Sequence, residues 1–168
     1  MLTYKNGLTT TLACVLLSFA ASQSALASAE DSAGEKILPV KVIVSSVNSL
    51  QYDKHLEVAR SSSKYQELTS LFHNARNLTY DIDFNKYAVI GAFMGVKSTG
   101  GYNINIVKAI QKEKNNRKYI EVYVNSEIPG PNCMVTMAFT QPAELALIPA
   151  EPRTDIIFKE SYEVYKCR

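Results

Sequence analysis

Ala88-Val89-Ile90-Gly91-Ala92-Phe93-Met94 runs without a polar side chain and then breaks into Gly95-Val96-Lys97-Ser98-Thr99-Gly100-Gly101-Tyr102. The run lacks the alternation of a strand with one wet face, so it predicts a strand apolar on both faces, in the middle of a sheet. The chain after it does alternate. Tyr102, Ile104, Ile106 and Ile110 form one set, interrupted by Asn103, Asn105 and Lys108. Ile120, Val122 and Val124 oppose Tyr119, Glu121, Tyr123 and Asn125. The polar stretch Gln111–Arg117 between the two sets predicts a β-hairpin.

Further strands are expected on either side of the hairpin. Cys133, Val135, Met137 and Phe139 read as an inward set, Leu145 and Leu147 as a short strand before Pro149, and Ile156, Phe158, Tyr162 and Val164 as a last strand interrupted by Glu160. Upstream, Val40, Val42 and Val44 alternate through Leu38–Val47, as in a half-buried or edge strand, whereas Asn48–Arg60 predicts no element. Ser63 with Gln66 makes a capping-box arrangement, and Tyr65, Leu68, Leu71, Phe72 and Ala75 share a face, which predicts a helix from about Lys64 to Asn74. About seven strands and one helix imply a mainly β fold. The expected form is an antiparallel β-sandwich or partly closed barrel, immunoglobulin-like organisation being one version, with one packed α-helix.

Residues 1–27 have the plan of a secretory signal peptide: Lys5, an apolar run from Leu8 to about Ala21, and Ala25-Leu26-Ala27 as a cleavage pattern. The run is short for a membrane span and contains Ser and Thr, and too little apolar sequence precedes Cys14 for a lipoprotein reading. Residues 28–36 read as a flexible leader and 37–168 as a single β-rich domain. Without Lys5 the balance is 17 basic against 16 acidic residues. Nucleic-acid and membrane-surface binders carry a basic excess, so neither class is expected, nor stable membrane insertion once the signal is removed. The expected location is periplasmic or secreted.

In such an oxidising compartment the remaining pair, Cys133 and Cys167, is expected to form a disulfide. His55 and His73 are the only histidines, which makes a nucleophilic Cys133 or a zinc site poorly supported. Asp81 and Asp83 share a face without a third ligand at calcium-loop spacing and read as a solvated strand entry. Lys112, Lys114, Arg117 and Lys118 read as a solvated hairpin tip, and Asn77-Leu78-Thr79 is a glycosylation sequon. No catalytic constellation, metal site or cofactor motif can be assembled, so the chain reads as non-enzymatic.

Two loops stand out. Gly100-Gly101 permits positive φ twice, and Tyr102 adds a rigid aromatic with a polar tip; Pro129-Gly130-Pro131-Asn132 stiffens the approach to Cys133. Asp83-Phe84, the apolar strand, Thr99-Gly100-Gly101-Tyr102 with its alternating isoleucines, and Pro129-Gly130-Pro131-Asn132-Cys133 together resemble the PrcB-like family of exported protease-complex subunits, over about residues 80–149. The resemblance implies a non-catalytic binding subunit that associates with and stabilises an extracytoplasmic protease or another envelope protein. Thr99, Gly100, Gly101, Tyr102, Pro129, Gly130, Pro131 and Asn132 are then the candidate partner-binding residues. Ser98–Tyr102 also resembles, more loosely, the Thr-Thr-Gly-aromatic loop of chagasin-type protease inhibitors, although their other two loops have no counterpart here. A protease inhibitor is therefore the alternative, and a structural envelope module without a protease partner a further one.

Overall fold

A computed structural model describes residues 34–73 and 80–167 of the chain. The expected signal segment, most of the expected leader, the sequon and the end of the expected helix, Asn74 with Ala75, lie outside the described residues. Among the described residues, eight strands and one helix succeed one another in order: β1 Glu35–Leu38, β2 Lys41–Ser46, β3 His55–Ala59, α1 Ser62–Ser70, β4 Tyr87–Phe93, β5 Asn103–Lys114, β6 Arg117–Pro129, β7 Ala143–Pro149 and β8 Asp155–Tyr165. They form two four-stranded sheets, β1-β5-β6-β8 and β2-β7-β4-β3. The fold is thus a sandwich and not a closed barrel.

The apolar run Ala88–Met94 contains β4, flanked by β7 and β3 in the middle of its sheet. Its two faces serve two cores. Ala88, Ile90, Ala92 and Met94 join Ile104, Ile106, Ile120, Val122, Val124, Ala146 and Ile148 between the sheets. Val89 and Phe93 join Leu145, the α1 residues Tyr65 and Leu68, and Phe72 just beyond the helix, on the other side. Alternation fails here because both faces are dry.

Several local expectations change. Leu38–Val47 is two strands in different sheets, because Pro39 ends the pairing of β1 and the chain crosses over. β3 occupies a stretch that predicted no element, and it begins beside the polar pair His55 Nε2 and Glu57 Oε2, 2.7 Å apart. The α1 cap is Ser61, whose Oγ accepts the Lys64 amide proton at 3.3 Å, while Ser63 lies inside the helix. The hairpin turn is only Asn115-Asn116, both at positive φ (53° and 58°), a two-residue turn that lets β5 and β6 run to its base. A register shift between Ile106 and Lys108 moves the inward position to Ala109 and turns Ile110 to the outer face.

The pairings include one departure from the antiparallel expectation: β6 and β8 run parallel, from Tyr119 beside Asp155 to Pro129 beside Tyr165. That pairing decides where the two loops meet, because it brings the ends of β6 and β8 to one end of the sandwich. The start of β5 is there too, opposite Glu127. So are the end of β4 and the start of β7, where Phe93 pairs with Ala143.

Candidate functional site

At this end the chain has few strand partners, so loop backbone groups satisfy one another. The Gly100 amide donates to the Thr136 carbonyl at 2.9 Å, Lys97 and Thr140 exchange backbone bonds at 2.8 and 3.0 Å, and the Thr140 hydroxyl donates to the Thr99 carbonyl at 2.8 Å. The glycine loop and the segment after Pro129 are therefore one unit. β8 fastens it: the Gly130 amide donates to the Tyr165 carbonyl at 3.0 Å, the Tyr165 hydroxyl donates to the Gly101 carbonyl at 2.8 Å, and Cys133 is disulfide-bonded to Cys167.

Packing explains two of the glycines. Gly101 has φ +85°, and a Cβ there would stand 2.8 Å from Val135 Cγ1 and 2.9 Å from the Tyr165 hydroxyl. A Cβ on Gly130 would meet the Tyr165 carbonyl oxygen at 2.7 Å. Positive φ is used once in the tandem pair, at Gly101 and not at Gly100. Gly100 and Gly130 are buried, Thr99, Tyr102 and Pro129 half-buried, and Gly101, Pro131 and Asn132 exposed. Tyr102 packs against the inter-sheet core with the Lys97 ammonium 5.8 Å from its ring centre. With its amide engaged and Gly100 buried, the glycine loop is pinned to its neighbour and does not project as a free tip.

The expected strand through Cys133, Val135, Met137 and Phe139 is absent: residues 133–139 are irregular. Cys133 and Val135 are half-buried, but Met137 and Phe139 are 88% and 73% exposed and Met134 is fully exposed. The period-2 pattern misled because the segment is held by the disulfide and by single backbone bonds, which impose no pleat. These three apolar side chains were missed as surface features. Three large apolar residues within six positions, just after a proline-rich loop, were the available signal.

Polar groups surround the unit. On the outer face of the β5–β6 pair, Asn105 donates to Glu127 Oε1 at 3.1 Å and Asn103 to Asn105 at 3.2 Å. Beneath the loops Glu144 is 5% exposed, and its Oε1 accepts the Ile106 amide proton at 2.7 Å. Burial raises the Glu144 pKa, and the Ile106 bond only partly offsets that. The carboxylate thus satisfies a backbone donor at the β5 register shift. Asp83 accepts the Asn85 amide at 3.0 Å and pairs with Lys86 at 3.1 Å, so it shapes the turn before β4. Among the described residues no three His, Cys, Asp or Glu side chains come together as a metal site, and no helix is long and apolar enough to cross a membrane.

Fold and site define a class: a small β-sandwich with an outer helix, whose two loops are joined to β8 and fastened by a disulfide. Residues 88–149 match the family model described as PrcB C-terminal. Over that stretch, from β4 through β7 and including both loops, the chain is PrcB-like, as its loop residues imply. No curated protein and no solved structure matches the chain, and the looser likeness to chagasin-type inhibitors receives no match.

Proposed function

We propose that the protein is a non-catalytic, exported subunit of a protease complex, and that it docks on an extracytoplasmic protease with the end of the sandwich that carries the two loops. The observation that carries this reading is the exposure of Met134, Met137 and Phe139 on a segment immobilised from behind by the Cys133–Cys167 bridge and the Gly100–Thr136 bond. Pre-ordered apolar side chains cost little entropy to bury, and Met and aromatic residues are enriched in interface cores. Exposed Gly101, Pro131 and Asn132 form the rim, and the other signature residues hold the platform. The disulfide supports an oxidising location, and with both cysteines bridged neither is a nucleophile.

The test is capture from the native envelope fraction with the wild-type chain and with Met137→Ser/Phe139→Ser. Both substituted positions are solvent-exposed, so melting should be unchanged within about 0.5 kcal/mol. Recovery of one exported protease by the wild type, and far less by the variant, is expected. Equal recovery would place the contact elsewhere, and recovery of no protease would leave a structural envelope module.

A further inference from the structure

We infer that β8 is a self-association edge, through which two copies of this chain join their sheets antiparallel about a two-fold axis at Ser161. Such pairing is independent of any contact with a protease.

β8 is the outermost strand of its sheet, and among the described residues nothing pairs with its free side. It pairs with β6 over eleven positions without a register shift, and it contains no proline or glycine. Edge strands are normally blunted by shortness, bulges, proline or charge. Here the inward-pointing charge, Glu160, is already neutralised by an ion pair with Lys54. The strand also leaves apolar inner-face surface uncovered, since Tyr162 is 75% and Val164 51% exposed.

What selects a second copy as occupant is the order of residues around Ser161. In an antiparallel pairing centred there, Lys159 faces Glu163 of the other copy, twice by symmetry, and both lie on the outer face of the sheet with Ser161. Phe158 faces Val164, and Ile157 faces Tyr165, again twice each. Glu160 falls opposite Tyr162. Directly opposed residues share a face and interact, and opposite charges at such positions are favourable whereas like charges are not. Glu163 has no ion pair among the described residues, and the nearest carboxylate to Lys159 is Glu121 at 3.7 Å. Each copy thus offers an unused carboxylate and a loosely held ammonium at positions that exchange under the two-fold. A continuous eight-stranded sheet results, with Phe158 of one copy laid over Val164 of the other.

Sedimentation equilibrium of the full-length chain tests this. The wild type should show a monomer–dimer equilibrium. Lys159→Glu or Glu163→Lys alone places like charges opposite twice and should weaken it by about tenfold or more. The combined swap restores complementarity and should restore association. A wild type that stays monomeric at about 0.1 mM, or a dimer indifferent to either single reversal, overturns the inference. Should a charge variant fold poorly, Ser161→Cys gives an independent reading. Residues opposed on a two-fold lie within disulfide reach, so a covalent dimer should form, whereas Glu151→Cys, off this strand, should not give one. A monomeric Ser161→Cys chain under oxidising conditions would equally refute it.

Discussion

Replacing Cys133 and Cys167 together by serine should destabilise the domain by about 3 to 4 kcal/mol while leaving its fold intact. The bridge closes a loop of sequence separation 34, and the chain-entropy relation gives about 3.8 kcal/mol at 25 °C for such a loop. The end of β8 does not come free when the bridge is lost. The Gly130–Tyr165 and Tyr165–Gly101 hydrogen bonds remain, each contributing about 1 kcal/mol, and Ile156 and Phe158 still pack on the inter-sheet core. Urea unfolding followed by circular dichroism measures the loss. Because the bridge restrains mainly the unfolded chain, its removal should also raise the m-value, as more surface becomes exposed on unfolding. For a domain of this size the melting temperature should fall by roughly 10 to 20 °C. A loss below about 1 kcal/mol, an unchanged wild type in reductant, or two free thiols by non-reducing mass spectrometry would refute the reasoning.

Gly101→Ala should cost about 2 to 3 kcal/mol, from a side chain at positive φ and from weakening of the Tyr165–Gly101 bond; Gly34→Ala, at φ +104° but with nothing within 4 Å of its Cβ, isolates the strain and should cost clearly less in the same melt. Glu144→Ala leaves the buried Ile106 amide without its acceptor and should cost about 1 to 3 kcal/mol, whereas Glu144→Gln keeps an acceptor. Since the folded Glu144 pKa is raised, its stabilising contribution is complete below the ordinary carboxyl range and declines as pH rises through the folded value; the Gln variant should therefore flatten that decline, and identical pH profiles would contradict this. Tyr102→Ala removes a half-buried ring from the inter-sheet core and should cost about 1 to 2 kcal/mol, so any loss of partner capture in that variant must be compared with its melting curve.

Much of the fold was legible where short-range pattern and packing agree. Ala88–Met94 announced a central strand because both its faces are dry, and the alternation of Ile120, Val122 and Val124 survives intact in β6. The pattern failed where one residue changes register or sheet: the shift after Ile106 turned Ile110 outward, and Pro39 divided one expected strand into two. It failed also at Met137 and Phe139, whose alternation belongs to a segment without a pleat. The candidate site was legible as two loops but not as one unit. Their union depends on the parallel β6–β8 pairing, a contact between distant segments that no local signal encodes. The cysteine pair was the exception, since once Cys14 is set aside with the expected signal segment, Cys133 and Cys167 leave one partner for each.

The central claim, that the loop end meets a protease, is tested most directly by a photo-crosslinking residue placed at Phe139 in cells of the natural host, with the same residue at Arg117, on the exposed hairpin tip at the opposite end of β6, as control. The account predicts a single crosslinked exported protease from position 139 and none from position 117. Crosslinks to the protease from position 117 alone, or the same products from both positions, would contradict it.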